Sequence, residues 1–248
     1  MGKAIATTAD FVKRVLDRKR DGSLKDTQVL EFFHFAYPLA EKSYAQLYQD
    51  LWVLFMLKEK QVGFFVEFGA CDGLSMSNTA LLEREYGWKG ILAEPNPRWH
   101  NALKQERNCS ICFDCVTDGE YATTTFYDVE SEPELSRLSN IVPTDHHEET
   151  GARADANVIS VNCLSLNELL QRYNAPDTID FLSIDTEGSE YEILKNFDIQ
   201  KWHIKLIAVE HGGDQKKRER IKELLTGKGF SRWNTEVSRW DDWYVNQY

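Results

Sequence analysis

Apolar positions along the chain change rhythm near residue 64. Before it they recur at helical spacing: Phe11, Val12, Val15 and Leu16 share one face, followed by Val29, Leu30, Phe32, Phe33 and Phe35 until Pro38 interrupts the second segment. Residues 1–45 therefore read as a helical extension, packed on a main domain of residues 46–248 and placed to close over a substrate. From Phe64 onward, short apolar runs alternate with helical stretches. Strands are expected at 64–68 (FFVEF), 90–94 (GILAE), 110–116 (SICFDCV), 122–129, 158–163, 179–185 (IDFLSID), 204–210 (IKLIAVE), 231–237 and 243–247. Helices are expected near 77–86, 97–106, 165–173, 189–197 and 216–228. This alternation predicts an α/β fold, a Rossmann-like, mostly parallel, doubly wound sheet whose last two strands pair antiparallel. Such sheets bind ligands beyond the carboxyl ends of their strands, which selects the residues to examine.

Composition narrows the partners. Lysine and arginine total 29 against 40 aspartates and glutamates, a net charge of −11, so the summed field repels polyphosphates and no nucleic-acid partner is expected. Five cysteines, an odd and unevenly spaced set, suit reduced thiols in a cytoplasmic protein. Cys109, Cys112 and Cys115 have the spacing of metal ligands, but the same stretch reads as a strand and no fourth ligand lies nearby. No window approaches the roughly 20 apolar residues of a membrane span, the N-terminus lacks a signal-peptide core, and Ala6 stands where a myristoylation pattern wants Ser or Thr. A soluble, cytoplasmic protein is the expectation.

The first strand ends in Glu67-Phe68-Gly69-Ala70-Cys71-Asp72-Gly73 and runs through Ser75, Ser77, Asn78 and Thr79 into a helix. Glycines allow a tight turn close to a ligand, hydroxyls and free amides at a helix start hold a carboxylate, and a strand-terminal acid holds an ammonium. A ligand carrying both groups is an amino acid, and the methionine end of S-adenosylmethionine fits. The second strand ends in Glu94, placed 21 residues past Gly73, where an acid meets ribose hydroxyls in dinucleotide-binding sheets. Cys71 at the middle glycine position of G-x-G-x-x-G argues against a pyrophosphate and so against a nicotinamide-dependent oxidoreductase, the rival reading. A non-catalytic nucleoside-binding module is the third.

Five segments, SYAQLYQD (43–50), FFVEFGACDGLSMSNT (64–79), GWKGILAEPNP (87–97), IDFLSIDTEGSEYEIL (179–194) and VEH (209–211), resemble the FkbM family of methyltransferases in order and spacing. The resemblance implies a class I methyltransferase domain using S-adenosylmethionine to methylate hydroxyl groups, often on sugars of glycans or of secondary metabolites. It implies that Glu67, Gly69, Ser77 and Asn78 contact the methionine part, Glu94 the ribose, and Cys115 and Val116, at the end of the third strand, the adenine. Gln46 matches a polar entry segment beside the cofactor, together with Asp50, and Asp185 counts among the cofactor contacts.

Methyl transfer to a hydroxyl needs an aligned oxygen and a group that removes its proton. Asp185 and Glu187 follow the strand 179–185, with Ser189 read as the cap of the next helix and Glu190 as a dipole partner. Glu210 and His211 close the strand 204–210. Two arrangements stand open: Asp185 and His211 as a metal-free base pair, with Glu187 beside them, or Asp185, Glu210 and His211 around a divalent cation. The aromatic run Trp233, Trp240, Trp243 and Tyr244 reads as packing more readily than as a sugar platform, and Lys216, Lys217, Arg218 and Arg220 as a solvated helix face. The acidic, strand-poor segment 130–156, with His146 and His147, is expected to shape the acceptor pocket for a small molecule or glycan.

Overall fold

A computed structural model describes residues 13, 17, 20, 27–142, 147, 150–234 and 238–248. The helical face expected of Phe11, Val12, Val15 and Leu16 lies outside them. In chain order the elements are α1 Thr27–Ala36, a 3-10 helix Tyr37–Lys42, α2 Gln49–Met56, β1 Phe64–Phe68, α3 Ala80–Tyr86, β2 Lys89–Ala93, α4 His100–Glu106, β3 Ser110–Cys112 and β4 Cys115–Thr117. There follow β5 Thr123–Val129, a 3-10 helix Pro133–Leu135, β6 Arg137–Leu138, β7 Ala156–Ser165, α5 Leu166–Arg172 and β8 Thr178–Ile184. The chain continues with α6 Glu190–Lys195, β9 His203–Glu210, α7 Gln215–Gly227, β10 Phe230–Trp233 and β11 Asp241–Asn246.

Seven strands make the main sheet in the order β10-β11-β9-β8-β1-β2-β3. All neighbours from β9 to β3 run parallel, while β11 is antiparallel to both β9 and β10. Each strand sends alternate side chains to opposite faces, and both faces are covered. Phe65, Leu92, Phe181, Leu206, Ala208 and Trp243 meet Val29 and Phe32 of α1, Trp52 of α2, Leu81 of α3 and Leu103 of α4. Val66, Ile91, Leu182, Ile207 and Tyr244 meet Leu169 of α5, Ile193 of α6 and Ile221 of α7. Doubly wound is therefore the observed arrangement. Helix α1 completes the first face, and no described residue before Gln46 lines the cavity described below.

Two expectations need correction. The stretch 110–116 is not one strand: it breaks at Phe113-Asp114, where Arg172 of α5 binds the Asp114 carboxylate at 2.5 Å. Cys115 and Val116 thus begin a new strand rather than ending the third. That strand joins a second sheet, β4-β7-β5-β6, which also takes the stretches 122–129 and 158–163 out of the main sheet. Its own small core is Cys115, Phe126, Leu138 and Val161. The aromatic run is chiefly packing: Trp243 stacks on Trp52 with centroids 5.0 Å apart and on Trp233 at 5.7 Å, with Phe32 edge-on to Trp233 and Trp243. Among the described residues no helix is long and apolar enough to cross a membrane.

Candidate active site

Strand periodicity sets where the acids go. Residues 65, 181, 206, 208 and 243 point to the face of α1 to α4, so Glu67, Glu94, Asp185, Glu210 and Asp241 fall in the same phase at the strand ends. All five line one cavity of about 540 Å³ beyond the carboxyl ends of β1, β2, β8 and β9, a size typical of a small-molecule site. His211 is one residue out of phase. Its ring is buried, does not line the cavity and faces the side of Arg218 and Asp242.

One wall of the cavity is the loop 69–79. Its backbone is left-handed at Gly69, Cys71, Gly73 and Met76. At Gly69 no side chain fits, because a Cβ there would lie 1.9 Å from the carbonyl oxygen of Asp185. The loop is held from several sides. Glu94 accepts from Cys71 N at 3.0 Å through Oε2 and from Asn96 N at 2.8 Å through Oε1. Burial, with Asp185 nearby, raises Glu94 to about 7 against the lowering pull of these two amides. Asp72 accepts from Leu74 N and Ser75 N, closing a local turn.

Glu67 lines the cavity, yet its oxygens already accept from Asn78 N, Ser77 Oγ and Thr79 Oγ1, with the Arg107 guanidinium 3.7 Å away. Ser77 is spent as well: its Oγ donates to Glu67 and accepts from Thr79 N, Ala80 N and Arg107. Both residues shape the loop more than they face a ligand. Asn78 differs. Its Nδ2 donates to Ser183 Oγ at 2.8 Å, and its Oδ1 is buried with no hydrogen-bond donor among the described residues. Cys115 and Val116 line the cavity with Phe126 and Leu138 of the second sheet, making its apolar side.

Beside the loop, carboxylate oxygens of Asp185, Glu187 and Glu210 lie within 4.8 Å of one another. Asp185 is reached by water through the cavity but enclosed by protein, and burial raises it to about 6, opposed by its hydrogen bond with Glu210. Burial and the Asp185 charge lift Glu187 to about 8, although Arg153 binds it at 2.5 Å. Glu210 is pushed well above the carboxylate range by burial, then by Asp185 and Glu187. Three acids this close repel one another when ionised, which favours a proton held among them, and the Arg153 guanidinium on Glu187 offsets part of that repulsion. His211, expected to complete the base pair or the metal set, is replaced there by Glu187. Burial holds the His211 imidazole down at about 4, and its Nδ1 accepts from Gly213 N.

Asp241 was not anticipated. It pairs in register with Glu210, accepts from Gln49 Nε2 at 2.6 Å, and rises to about 7 through burial and the Asp185 charge. Its signal lay in the phase of β11, two residues before Trp243. Gln46 sits at the rim, where its Oε1 accepts from Trp240 Nε1 at 3.0 Å. Asp50 lies off the cavity and accepts from Ser43 Oγ, Tyr44 N and Ala45 N, so it folds the turn that presents Gln46 and Gln49. Ser189 does not cap α6, since its hydroxyl goes to Thr186. Glu190 accepts instead from Thr186 N, Gly188 N and Lys217 Nζ. Of the basic run, Lys217 is thus paired, Arg218 binds Asp242 through two nitrogens, and Arg220 lies over Tyr191.

Within the segment 130–156, residues 132–136 and Leu138 line the cavity beside the loop 186–189, and so does His147. Ile141 closes on Gly188, where a Cβ would come within 2.3 Å of its Cγ2. Arg153 ties the segment down by donating to Leu135 O and Glu187. His146 lies outside the described residues.

A profile of the family described as Methyltransferase FkbM domain matches residues 67–242. The curated protein Methyltransferase sdnD of Sordaria araneosa is 29% identical over 199 residues, covering 67% of this chain and 73% of its own. Among solved structures, methyltransferase FkbM from Methylobacillus flagellatus KT is similar with a TM-score of 0.51 and 13% identity, covering 97% of this chain and 58% of its own. The chain spans under two thirds of that protein's length, and the likeness is one of fold. The main sheet has the Rossmann-like architecture of class I methyltransferases.

Proposed function

The chain belongs to the FkbM methyltransferase family, and from that premise we propose that it transfers a methyl group from S-adenosylmethionine to a hydroxyl oxygen of a small-molecule or glycan acceptor, with a sugar hydroxyl the leading case. The observation that carries this reading is a single cavity lined both by a nucleoside-type acid, Glu94, and by three clustered carboxylates. The donor's chemistry fits the residues present. Each Glu94 oxygen keeps an acceptor position for a ribose hydroxyl. The buried, donor-lacking Oδ1 of Asn78 suits an ammonium, the amides of the loop 69–79 a carboxylate, and the apolar side at Val116 and Phe126 an adenine ring. Bound there, S-adenosylmethionine supplies a methyl group already activated by its sulfonium.

The chain's own task is then to orient the acceptor hydroxyl and take its proton. In this proposal the Asp185–Glu210 pair fills the base role, with Asp185 receiving the proton and Glu187 fixing the hydroxyl. The three carboxylate oxygens within 4.8 Å also favour a second reading, in which Asp185, Glu187 and Glu210 hold a divalent cation that lowers the hydroxyl pKa. Residues 46–248 form the catalytic domain in this proposal, residues 1–45 an extension to it, the location is cytoplasmic, and nucleic acid is not a partner.

Calorimetry with S-adenosylhomocysteine tests the donor. Micromolar binding that weakens at least about tenfold in Glu94→Ala is expected. Absence of binding to the unaltered protein, or NADH binding in its place, would sink the proposal. Transfer of labelled methyl to a carbohydrate panel, with and without EDTA, separates turnover from mere binding and the metal-free base from the metal.

A further inference from the structure

Arg107 follows α4, and no sequence pattern singles it out. Its side chain is completely buried, and the guanidinium donates four hydrogen bonds. Nε donates to Glu83 Oε2 at 2.6 Å, Nη1 to Gly73 O at 3.0 Å and Ser77 Oγ at 3.1 Å, and Nη2 to Thr79 Oγ1 at 2.8 Å. Glu67 stands 3.7 Å from Nη1. One fork therefore grips the loop 69–79 at Gly73, Ser77 and Thr79, from the side away from the cavity, and also neutralises the strand-terminal acid under it.

The loop needs such a grip. Four of its first eight residues have positive φ, two of them, Cys71 and Met76, without the freedom of glycine. Gly73 lets the loop lie against Arg107, since a Cβ there would come within 2.9 Å of Arg107 Cγ. The opposite side of the same loop presents Gly69, Ala70, Cys71, Met76 and Asn78 to the cavity. A planar, five-donor guanidinium meets this set of acceptors in a way that a lysine ammonium cannot.

We propose that Arg107 is a positioning residue for the methyl donor: it pre-forms the donor-binding face of the loop 69–79 from behind and touches neither donor nor acceptor. The proposal rests on the donor reading above. It assigns Glu67 a partner inside the protein, so that the donor's ammonium is received by Asn78 and its neighbours.

The test is calorimetric titration of S-adenosylhomocysteine into folded protein well below its melting temperature, in the unaltered chain, Arg107→Met, Arg107→Lys and Glu83→Gln. A weakening of about tenfold or more is expected in Arg107→Met, with partial recovery in Arg107→Lys, which keeps the charge but not the fork. Glu83→Gln is expected to weaken binding by about threefold, since the fork then loses one anchor. A residue with only a structural role would lower the melting temperature and leave the dissociation constant in place. Binding within twofold of the unaltered protein in Arg107→Met overturns the proposal, and Arg107→Lys decides in the same way if the methionine variant does not fold. Failure of the unaltered protein to bind overturns the donor reading itself, a result distinct from the first.

Discussion

Glu94 divides its two oxygens between the cysteine amide of the glycine loop and the amide of Asn96, and each oxygen has a lone pair left over. Because burial holds this carboxyl at about 7 in the free protein, its charge changes within the working range of most assays. Only the ionised form accepts from both ribose hydroxyls, so S-adenosylhomocysteine affinity is expected to rise roughly tenfold from pH 6 to pH 8. Glu94→Gln is expected to flatten that profile, and a profile left unchanged by the substitution would remove Glu94 from the donor site. In the carboxylate cluster, Asp185→Asn is expected to lower turnover by about 10² to 10⁴, measured with an acceptor found on the carbohydrate panel. His211→Gln is expected to change it by less than about tenfold, since the ring does not line the cavity.

At the scale of elements, β1 and β8 approach so closely that Gly69 lies against the last peptide before the carboxylate loop. Gly69→Ala brings a backbone overlap and a left-handed alanine, and is expected to cost upward of about 2 kcal/mol with loss of S-adenosylhomocysteine binding, read by denaturant melts and calorimetry. The strands of the main sheet were legible because their apolar runs are long and bounded by polar turns, and Glu67, Glu94, Asp185 and Glu210 were legible because they end such runs. The split at Asp114 was not, since a single polar residue inside SICFDCV leaves the β pattern intact, and the Arg172 partner that Asp114 meets at the break is remote in sequence. The second sheet escaped for a related reason: β5 and β7 alternate as any strand does, and nothing local says which sheet a strand will join. Glu210 and His211 are adjacent polar residues that look alike in the sequence, and only strand phase separates Glu210, which lines the cavity, from His211, which does not. Asp241 and Arg107 act through partners 192 and about 30 residues away, distances over which sequence spacing carries no information.

For the whole molecule, five carboxylates enclosed by protein share one bias. Burial raises Asp50 to about 6, Glu94 to about 7, Asp185 to about 6, Glu187 to about 8 and Asp241 to about 7. The unfolded chain titrates these groups near 4. Between about pH 4 and pH 8 the folded protein therefore holds more protons than the unfolded one, and stability falls as pH rises through that window. His211, held near 4, acts in the other direction below about pH 6.5, and Asp180, Glu168 and Glu219, held below the ordinary carboxylate range, do so at the acid end of the window. The ligand-free protein is accordingly expected to melt at least about 5 °C higher at pH 5 than at pH 8; an equal or lower melting temperature at pH 5 would contradict the carboxylate environments described above. The strand order has a consequence in time. β11 lies between β9 and β10, carries Asp241 into the cavity and supplies Trp243 to the stack under α1 and α2. During synthesis, β10 has no neighbour in the sheet and Gln49 no acid to bind until residues 241–246 have left the ribosome. A nascent chain arrested before that point holds most of the family-matched sequence yet lacks the strand that joins β10 to the sheet and the Asp241 wall of the cavity.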